Sequence, residues 1–331
     1  MLTKAILRGR LEFGSARSFE QASKQFTTRG EVYYKNDLLI KQPSTEFQEA
    51  SQNFVLQSNL PNPSEKSWRN TINLLESTAQ FAVAGMIHCW LMDATNPNVC
   101  VQYVAIYPNS DKEVVQNYLQ ALALLQDDNK KEAIQYFDKT IDRFSKHSFA
   151  FERRGYTNYL LGNDDAALDD FCKAIAFNNE LPEAHVGKAM ILLRRGEKQE
   201  AIAEIMQAIQ ATIPQDWVYW RARLIKADCN MMDGNYADAV ADLKYFTKRK
   251  FAAHDPNNEW RKYAFYKHAV ALMHLHDYTN AELAINSCLE IEKGRGDIPT
   301  LDVLQNMRIE IAAQPKKVVK TATNKKTMQP V

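Results

Sequence analysis

The sequence contains little glycine, proline or cysteine. Gly and Pro supply only 11 residues each in a chain of 331, which is few for a fold built from β-turns and favours long helices. The five cysteines are scattered and never form a C-x-x-C pair: Cys89, Cys100, Cys172, Cys229 and Cys288. This pattern argues against a disulfide framework and against a cysteine metal site, and it favours reduced, mostly buried thiols in a cytosol-like compartment.

The sequence also lacks an excess of charge of one sign. Lys and Arg number 41 against 40 Asp and Glu, so no long-range field attracts the chain to nucleic acid or to anionic lipid. We therefore expect no nucleic-acid partner. The longest apolar run, at residues 81–92, is too short to span a bilayer. We expect no membrane span, and we interpret this run as a buried helix.

The motifs that most often mark enzymes are missing. Neither glycine-rich phosphate-binding pattern occurs, and there is no G-x-S-x-G elbow and no H-E-x-x-H zinc helix. The spacings of His268, His274 and His276 do not place three imidazoles on one helical face. We therefore predict no catalytic residue, no metal and no cofactor, and we interpret Cys172, which follows Phe171, as a core residue.

A six-residue motif recurs along the chain. It reads DNKKEA, GNDDAA, GEKQEA, GNYADA and HDYTNA, and each copy ends in an alanine: Ala133, Ala167, Ala201, Ala239 and Ala281. The first three alanines are 34 residues apart, and the next two intervals are 38 and 42 residues. A recurring period near 34 indicates stacked supersecondary units.

Each copy of this hexad joins two stretches with helical periodicity. Ala167, for example, is followed by Phe171 and Ala174 at spacings of four and three residues. Three hexads begin with a glycine: Gly162, Gly196 and Gly234. A glycine can take the left-handed conformation that ends a helix, and a small alanine allows two antiparallel helices to approach closely. The predicted unit is a helix, a short turn and a second helix.

This pattern resembles the tetratricopeptide repeat family over roughly residues 113–292. The small residue of the family's first helix corresponds to Ala121, Gly155, Ala189, Ala227 and Ala269. The large apolar residue of its second helix corresponds to Phe137, Phe171, Ile205, Leu243 and Ile285. The next small position is matched by Ala174 and Ala208, and it departs at Thr140, Phe246 and Cys288. The resemblance implies a mainly α fold, a right-handed solenoid of about five helical hairpins.

The chain is predicted to have three segments. Residues 1–112 do not fit the repeat and predict a small α+β domain or an irregular helical cap, with a helix capped by Asn62 and a strand over 98–108. Residues 113–313 predict the solenoid, ending in a helix with one apolar stripe: Leu301, Leu304, Met307 and Ile311. Residues 314–331 contain five lysines and no acid, which predicts a disordered tail, with a docking arm for an anionic surface as the alternative.

The first residues leave two compartments open. No secretory signal is visible, because residues 1–11 lack an apolar core of the required length. Basic residues among small and apolar ones give a weak likeness to a mitochondrial presequence, and Glu12 counts against it; the basic residues are Lys4, Arg8, Arg10 and Arg17. We predict a cytoplasmic protein, with the mitochondrial matrix as the alternative.

In solenoids of this family the first helices line a concave groove. The resemblance assigns to that groove a set of aromatic, methionine and arginine side chains: Tyr156, Tyr159, Met190, Arg194, Arg221, Met231, Tyr263 and Tyr266. Such side chains give large, adaptable contact area that suits an extended peptide or an amphipathic helix. The alternative is that they pack against neighbouring helices or against the chain's own N-terminal segment.

Family members that bind heat-shock chaperone tails hold a carboxylate with Lys, Asn and Arg side chains. The corresponding residues here are Tyr118, Leu122, Arg153, Glu183 and Gly187, so most of the charge-assisted grip is missing and such tails are not expected as ligands. The sequence favours a non-catalytic adaptor or scaffold that binds a protein of unknown identity. The alternatives are a structural subunit of a larger assembly, or an enzyme with a site in residues 1–112.

Overall fold

A computed structural model describes residues 2–41, 43–96, 99–110, 112–251 and 255–315. The chain divides into two compact units, Met1–Val218 and Tyr219–Val331. The sheet and three helical hairpins all belong to the first unit, and the divisions expected at residues 112 and 313 stay predictions. The tail lysines at positions 316, 317, 320, 325 and 326 lie outside the described residues.

The first unit begins with an antiparallel sheet of order β2-β3-β1-β4-β5. In chain order its elements are β1 (Thr3–Glu12), α1 (Ala16–Val32), α2 (Pro43–Glu46), β2 (Phe47–Gln48), β3 (Asn53–Pro61), α3 (Glu65–Ala79), β4 (Ala84–Asp93) and β5 (Cys100–Ile106). Leu7, Phe54 and Ile87 belong to a core that the sheet shares with α1 and α3. Residues 1–112 are therefore α+β and not an irregular helical cap.

The apolar run at residues 81–92 is mainly a strand, β4, and the predicted helix is wrong. Ile87 and Cys89 belong to the core against α1 and α3, while Met86, His88 and Trp90 point to the opposite face, since side chains alternate along a strand. Both faces are covered, so the run shows no apolar-polar alternation, and periodicity could not separate it from a buried helix.

Two other N-terminal predictions have different outcomes. The strand predicted over 98–108 is confirmed as β5 over Cys100–Ile106, and position 98 lies outside the described residues. The helix expected to be capped by Asn62 instead starts after Ser64, whose hydroxyl accepts the backbone N–H of Ser67 at 2.9 Å. Asn62 has a left-handed backbone with φ of 48°, which belongs to the turn before the cap.

Helical hairpins make up the rest of the chain. The first unit contains α4 (Glu113–Gln126), α5 (Lys130–Arg143), α6 (Ser148–Leu160), α7 (Asp164–Phe177), α8 (Pro182–Arg194) and α9 (Lys198–Ala211). The second unit contains all but the first two residues of α10 (Trp217–Met232), followed by α11 (Tyr236–Lys248), a 3-10 turn (Pro256–Trp260), α12 (Arg261–His274), α13 (Tyr278–Glu290) and α14 (Leu301–Ala312). The predicted helix-turn-helix solenoid is confirmed. Within the described ranges, no helix has the length and apolar character needed to cross a membrane.

Each hexad begins at a residue with a left-handed backbone. The φ angles are 60° at Asp128, 78° at Gly162, 80° at Gly196, 74° at Gly234 and 56° at His276. The alanines that end the hexads are all fully buried: Ala133, Ala167, Ala201, Ala239 and Ala281. A Cβ added at Gly155 would lie 3.1 Å from the Cβ of Asp170 and 3.2 Å from the Phe171 ring. Small residues therefore set how closely the paired helices approach.

A repeated ion pair joins the two helices of three hairpins. The pairs are Arg154 with Asp170 (2.6 Å), Lys188 with Glu204 (2.6 Å) and Lys226 with Asp242 (2.9 Å). In each pair the acidic residue lies 16 positions after the basic residue. Asp170 and Asp242 are buried, so these pairs lie inside the hairpins and fix the register of their helices.

The terminal helix α14 packs on the last hairpin. Leu304 and Ile311 are fully buried, and Met307 packs against the same core. Leu301, which was predicted to share this stripe, is 56% exposed. It is the first residue of α14, and the apolar stripe begins at Leu304, where the helix meets α13.

Candidate functional site

One face of the sheet lies against the hairpins of the first unit. The side chains of Arg8, Arg10 and Glu12 share this face, because alternate residues of a strand point to the same side. Arg8 Nη2 donates to the carbonyl oxygen of Ala211 at 3.0 Å, and Arg10 Nη1 donates to Asn178 Oδ1 at 3.0 Å. Two of the four basic residues that suggested a presequence, Arg8 and Arg10, therefore hold the central strand β1 to the helical hairpins.

Glu12 is buried at this contact and is only 3% exposed. Ser148 Oγ donates to Glu12 Oε1 at 3.0 Å, and Arg10 Nε lies 3.3 Å from the same oxygen. Burial raises the pKa of Glu12 to about 7, although Arg10 and Ser148 both act to lower it. The carboxyl group is enclosed by these neighbours, so it is part of the contact between sheet and helices.

A cavity of about 610 Å³ lies between the sheet and the first three hairpins. Its sheet side consists of residues 83–86 and 107–108, and its helical side comes from first helices: Val115, Tyr118, Leu119 and Leu122 of α4, Phe149, Glu152 and Arg153 of α6, and Glu183 of α8. Tyr107 and Gln126 line the cavity and are exposed, so they mark its solvent side. The chain's own N-terminal segment thus covers part of the predicted groove.

Ionisable side chains from three first helices meet in this cavity. Arg153 Nε lies 3.1 Å from Glu152 Oε2, and Arg153 also forms a hydrogen bond with Tyr118. Burial raises the pKa of Glu152 to about 7. Burial, with the nearby Asp216 charge, raises the pKa of Glu183 to about 7 as well. Two carboxyl groups therefore share one guanidinium in a poorly solvated space.

His147, the N-cap of α6, lines the same cavity and is 1% exposed. Its Nδ1 accepts the backbone N–H of Ala150 at 3.1 Å. Burial lowers the pKa of His147 to about 3, so the ring is neutral at pH 7 and its one proton resides on Nε2. His147 Nε2 is buried and has no hydrogen-bond partner. Sequence reasoning missed this residue, since burial of a lone histidine leaves no pattern.

Four predicted groove residues of the first unit do not line this cavity: Tyr156, Tyr159, Met190 and Arg194. The rings of Tyr156 and Tyr159 on α6 stack with centroids 6.4 Å apart. The Arg194 guanidinium of α8 lies 3.7 Å from the centre of the Tyr159 ring, and Arg194 Nη1 lies 2.7 Å from Asp164 Oδ1. Met190 is half-buried on the same helix. The structure thus brings Tyr156, Tyr159 and Arg194 into one aromatic-cation surface.

The predicted groove residues of the second unit are less accessible. The Arg221 guanidinium lies 3.5 Å from the centre of the Trp260 ring. Tyr263 is 9% exposed, and its hydroxyl donates to Asp228 Oδ1 at 3.0 Å. A Cβ added at Gly296 would lie 2.6 Å from the Tyr263 ring, so the backbone there covers this ring. The remaining two are half-buried: Met231 and Tyr266.

The three histidines considered for a metal site have separate neighbours. His268 contacts the Thr247 hydroxyl at 3.5 Å, His274 stacks on Tyr236 at 3.9 Å, and His276 contacts the Tyr278 hydroxyl at 2.9 Å. In the part of the chain that the structure describes, no three His, Cys, Asp or Glu side chains are grouped to hold a metal ion. We assign these histidines to helix packing and to the surface.

The cysteines divide between core and surface. Cys89, Cys229 and Cys288 are buried, whereas Cys100 and Cys172 are exposed. The interpretation of Cys172 as a core residue is wrong. Neighbouring residues on a helix point about 100° apart, so the burial of Phe171 turns Cys172 outward.

Comparison with known proteins identifies the class of the hairpins. A family model described as "Tetratricopeptide repeat" matches residues 118–180, from α4 to the turn before α8. The hairpins in this range, α4 to α7, match the tetratricopeptide repeat that the hexads resemble. A TPR repeat-containing protein, MJ1428 of Methanocaldococcus jannaschii, is 29% identical over 93 residues, which are 28% of this chain and 16% of that protein. The chain therefore spans only a small part of that relative.

Solved structures resemble this chain at low sequence identity. The structure of pilF from Pseudomonas aeruginosa is 14% identical and has a TM-score of 0.51, over 61% of this chain and 84% of that one. YrrB, described as a TPR protein with an unusual peptide-binding site, is 18% identical and has a TM-score of 0.45, over 60% of this chain and 94% of that one. The likeness to pilF is one of fold alone.

Proposed function

We propose that this chain is a non-catalytic adaptor or scaffold whose first helices hold an extended peptide or an amphipathic helix of a partner protein. The observation that carries the proposal is the surface formed by Tyr156, Tyr159 and Arg194, defined by the stacked rings and the guanidinium above one of them. Tyrosine and arginine are among the residues enriched at the positions that supply most of the binding energy of protein interfaces.

The position of this surface supports the same proposal. It lies on first helices of the tetratricopeptide repeats, toward the C-terminal ends of α6 and α8, while the cavity under the sheet involves the N-terminal parts of those helices. An arriving peptide therefore meets the aromatic-cation surface without displacing the sheet.

The test is to remove the two rings and measure partner capture. The double variant Tyr156→Ala with Tyr159→Ala should lower the yield of a crosslinked partner from the native source by about tenfold or more, because interface tyrosines commonly contribute more than one kcal/mol. Tyr245→Ala is the matched control, since Tyr245 lies on the second helix α11 and is 63% exposed. Undiminished capture by the double variant would refute the assignment of the surface.

A second variant separates lost contacts from lost packing. Tyr156 and Tyr159 also pack against the core of the α6–α7 hairpin, so their removal affects stability. Arg194→Gln keeps both rings and removes the guanidinium that covers Tyr159. We expect it to weaken capture while the circular dichroism spectrum and melting temperature stay close to those of the wild type.

A structural subunit of a larger assembly is the second candidate function. The β5 strand forms one edge of the sheet and exposes Val101 and Tyr103, and α14 exposes Val303 and Ile309. Exposed edge strands and apolar helix faces are surfaces that permanent partners cover. Sedimentation of the purified chain distinguishes the candidates, since a stable lone monomer disfavours an obligate subunit.

A further inference from the structure

The cavity under the sheet presents two chemical requirements at once. Glu152 and Glu183 have a single guanidinium, that of Arg153, as the cation at the cavity wall. The Nε2–H of His147 is a buried donor without an acceptor. A ligand that satisfies both requirements must carry a positive group and a hydrogen-bond acceptor a short distance apart.

We infer that this cavity receives a lysine or arginine side chain of an extended peptide, with Glu183 and Glu152 pairing its cation and His147 Nε2 donating to a carbonyl oxygen of the same peptide. This inference rests on the proposed function, because it assumes that the first helices bind a peptide. It adds a side-chain specificity that the tetratricopeptide fold alone does not imply.

The charges at the cavity wall favour a cation over an anion. The guanidinium of Arg153 is engaged with Glu152 at 3.1 Å, and Glu183 has the further negative charge of Asp216 nearby. A carboxylate entering the cavity would be a third acid at its wall beside Glu152 and Glu183, and like charges in a poorly solvated site repel strongly. A second cation would instead complete the pairing of the two carboxylates.

The apolar lining suits the stem of a long basic side chain. Val115, Leu119 and Leu122 of α4 lie on one side of the cavity, and Met86 and Phe149 lie on others. Lysine and arginine bury their methylene stems against apolar surface while the charged group reaches polar partners. The volume of about 610 Å³ lies within the range of sites that enclose small ligands.

The test uses peptides that differ only in one charge. The probe is an array of capped peptides of about ten residues, in which arginine, lysine, citrulline, norleucine or glutamate occupies a central position between apolar residues. The wild-type chain should bind the arginine and lysine peptides about tenfold or more better than the citrulline and norleucine peptides, since a desolvated charge pair is worth at least that factor.

The matched variants locate the selectivity. Glu183→Gln keeps the shape of the side chain and should reduce the preference for arginine over citrulline to less than about threefold. Glu200→Gln, which changes an exposed carboxylate on α9, should leave that preference intact. A preference that persists unchanged in folded Glu183→Gln would overturn the inference.

Crosslinking to the wild-type chain also shows where the peptide binds. This measurement does not require any variant to fold. A photo-leucine placed beside the arginine should crosslink to residues 83–86 or 115–122. Crosslinks confined to α5, α7 or α9 would overturn the inference. Equal binding of charged and neutral peptides would refute it and leave the proposed function standing, whereas failure of every peptide to bind would refute both.

Discussion

Glu12, Glu152 and Glu183 in the first unit titrate near pH 7 rather than near 4.5, because burial penalises their charged form. Between these two values the native state binds more protons than the unfolded state. The contribution of each carboxyl group to stability is therefore largest below pH 4.5 and decreases as the pH rises to about 7.

Buried histidines act in the opposite direction. Burial lowers the pKa of His88 to about 4 and that of His147 to about 3, against an ordinary 6.5. The unfolded state binds their protons more readily, so their contribution is present above pH 6.5 and is lost as the pH falls toward these values. Between about pH 4.5 and pH 6.5 the carboxyl groups and the histidines change the free energy of unfolding in opposite directions. The stability of the chain therefore varies less with pH in this range.

Replacing Glu12 by glutamine should remove the pH-dependent contribution of this carboxyl group to stability. From pH 5 to pH 8 the wild type should lose about 2 kcal/mol of unfolding free energy relative to Glu12→Gln, because glutamine does not titrate. One pKa unit corresponds to about 1.4 kcal/mol. Urea unfolding at the two pH values measures this shift. Glu20→Gln, at an exposed position on α1, is the control. A difference that is the same at both pH values would contradict the burial of an ionisable group at Glu12.

At the scale of the helices, the hairpins combine small residues with an internal ion pair. Arg154 Nε and Nη2 bind the two oxygens of Asp170 at 2.9 and 2.6 Å, and Arg154 Nη1 binds Asp138 of the previous hairpin at 2.6 Å. One arginine thus connects three helices, α5, α6 and α7. A planar guanidinium that engages a carboxylate with two bonds fixes both distance and orientation.

Asp170→Asn should therefore destabilise the first unit by about 3 kcal/mol, because it leaves a largely buried guanidinium without its main partner. The neighbouring residue provides the control, since Asp169 is exposed and pairs only with Lys173 one helical turn away. Asp169→Asn should cost no more than about 0.5 kcal/mol. Urea unfolding of both variants measures the difference, and equal losses would show that the Arg154 pair does not hold the hairpin.

Much of this helical architecture is predictable from the sequence, and the sheet is not. The hexads define the hairpins because a left-handed residue and an alanine are needed at fixed places in every copy. The spacing of 16 residues from Arg154 to Asp170 recurs at Lys188 and Lys226, and this signal could have identified the ion pairs. The strand β4 gave no such signal, since it is covered on both faces.

At the scale of the whole molecule, the tetratricopeptide hairpins and the N-terminal sheet together form the candidate site of the first unit. The contacts that seat the sheet join residues far apart in sequence, such as Arg8 with Ala211 and Gln57 with Glu180. No local pattern encodes such pairs, so the sequence left open whether the groove was open or covered. The structure places the sheet over the N-terminal parts of the first helices, and the surface of Tyr156, Tyr159 and Arg194 lies beside it.

We propose that partners bind to first helices and not to second helices. The most direct measurement places the photo-crosslinking residue p-benzoylphenylalanine at position 156 on α6 or, as the control, at position 173, an exposed site on α7. Irradiation in an extract of the native source should yield a partner adduct from position 156 and none from position 173. Adducts from position 173 alone, or in equal amounts from both, would contradict binding to the first helices.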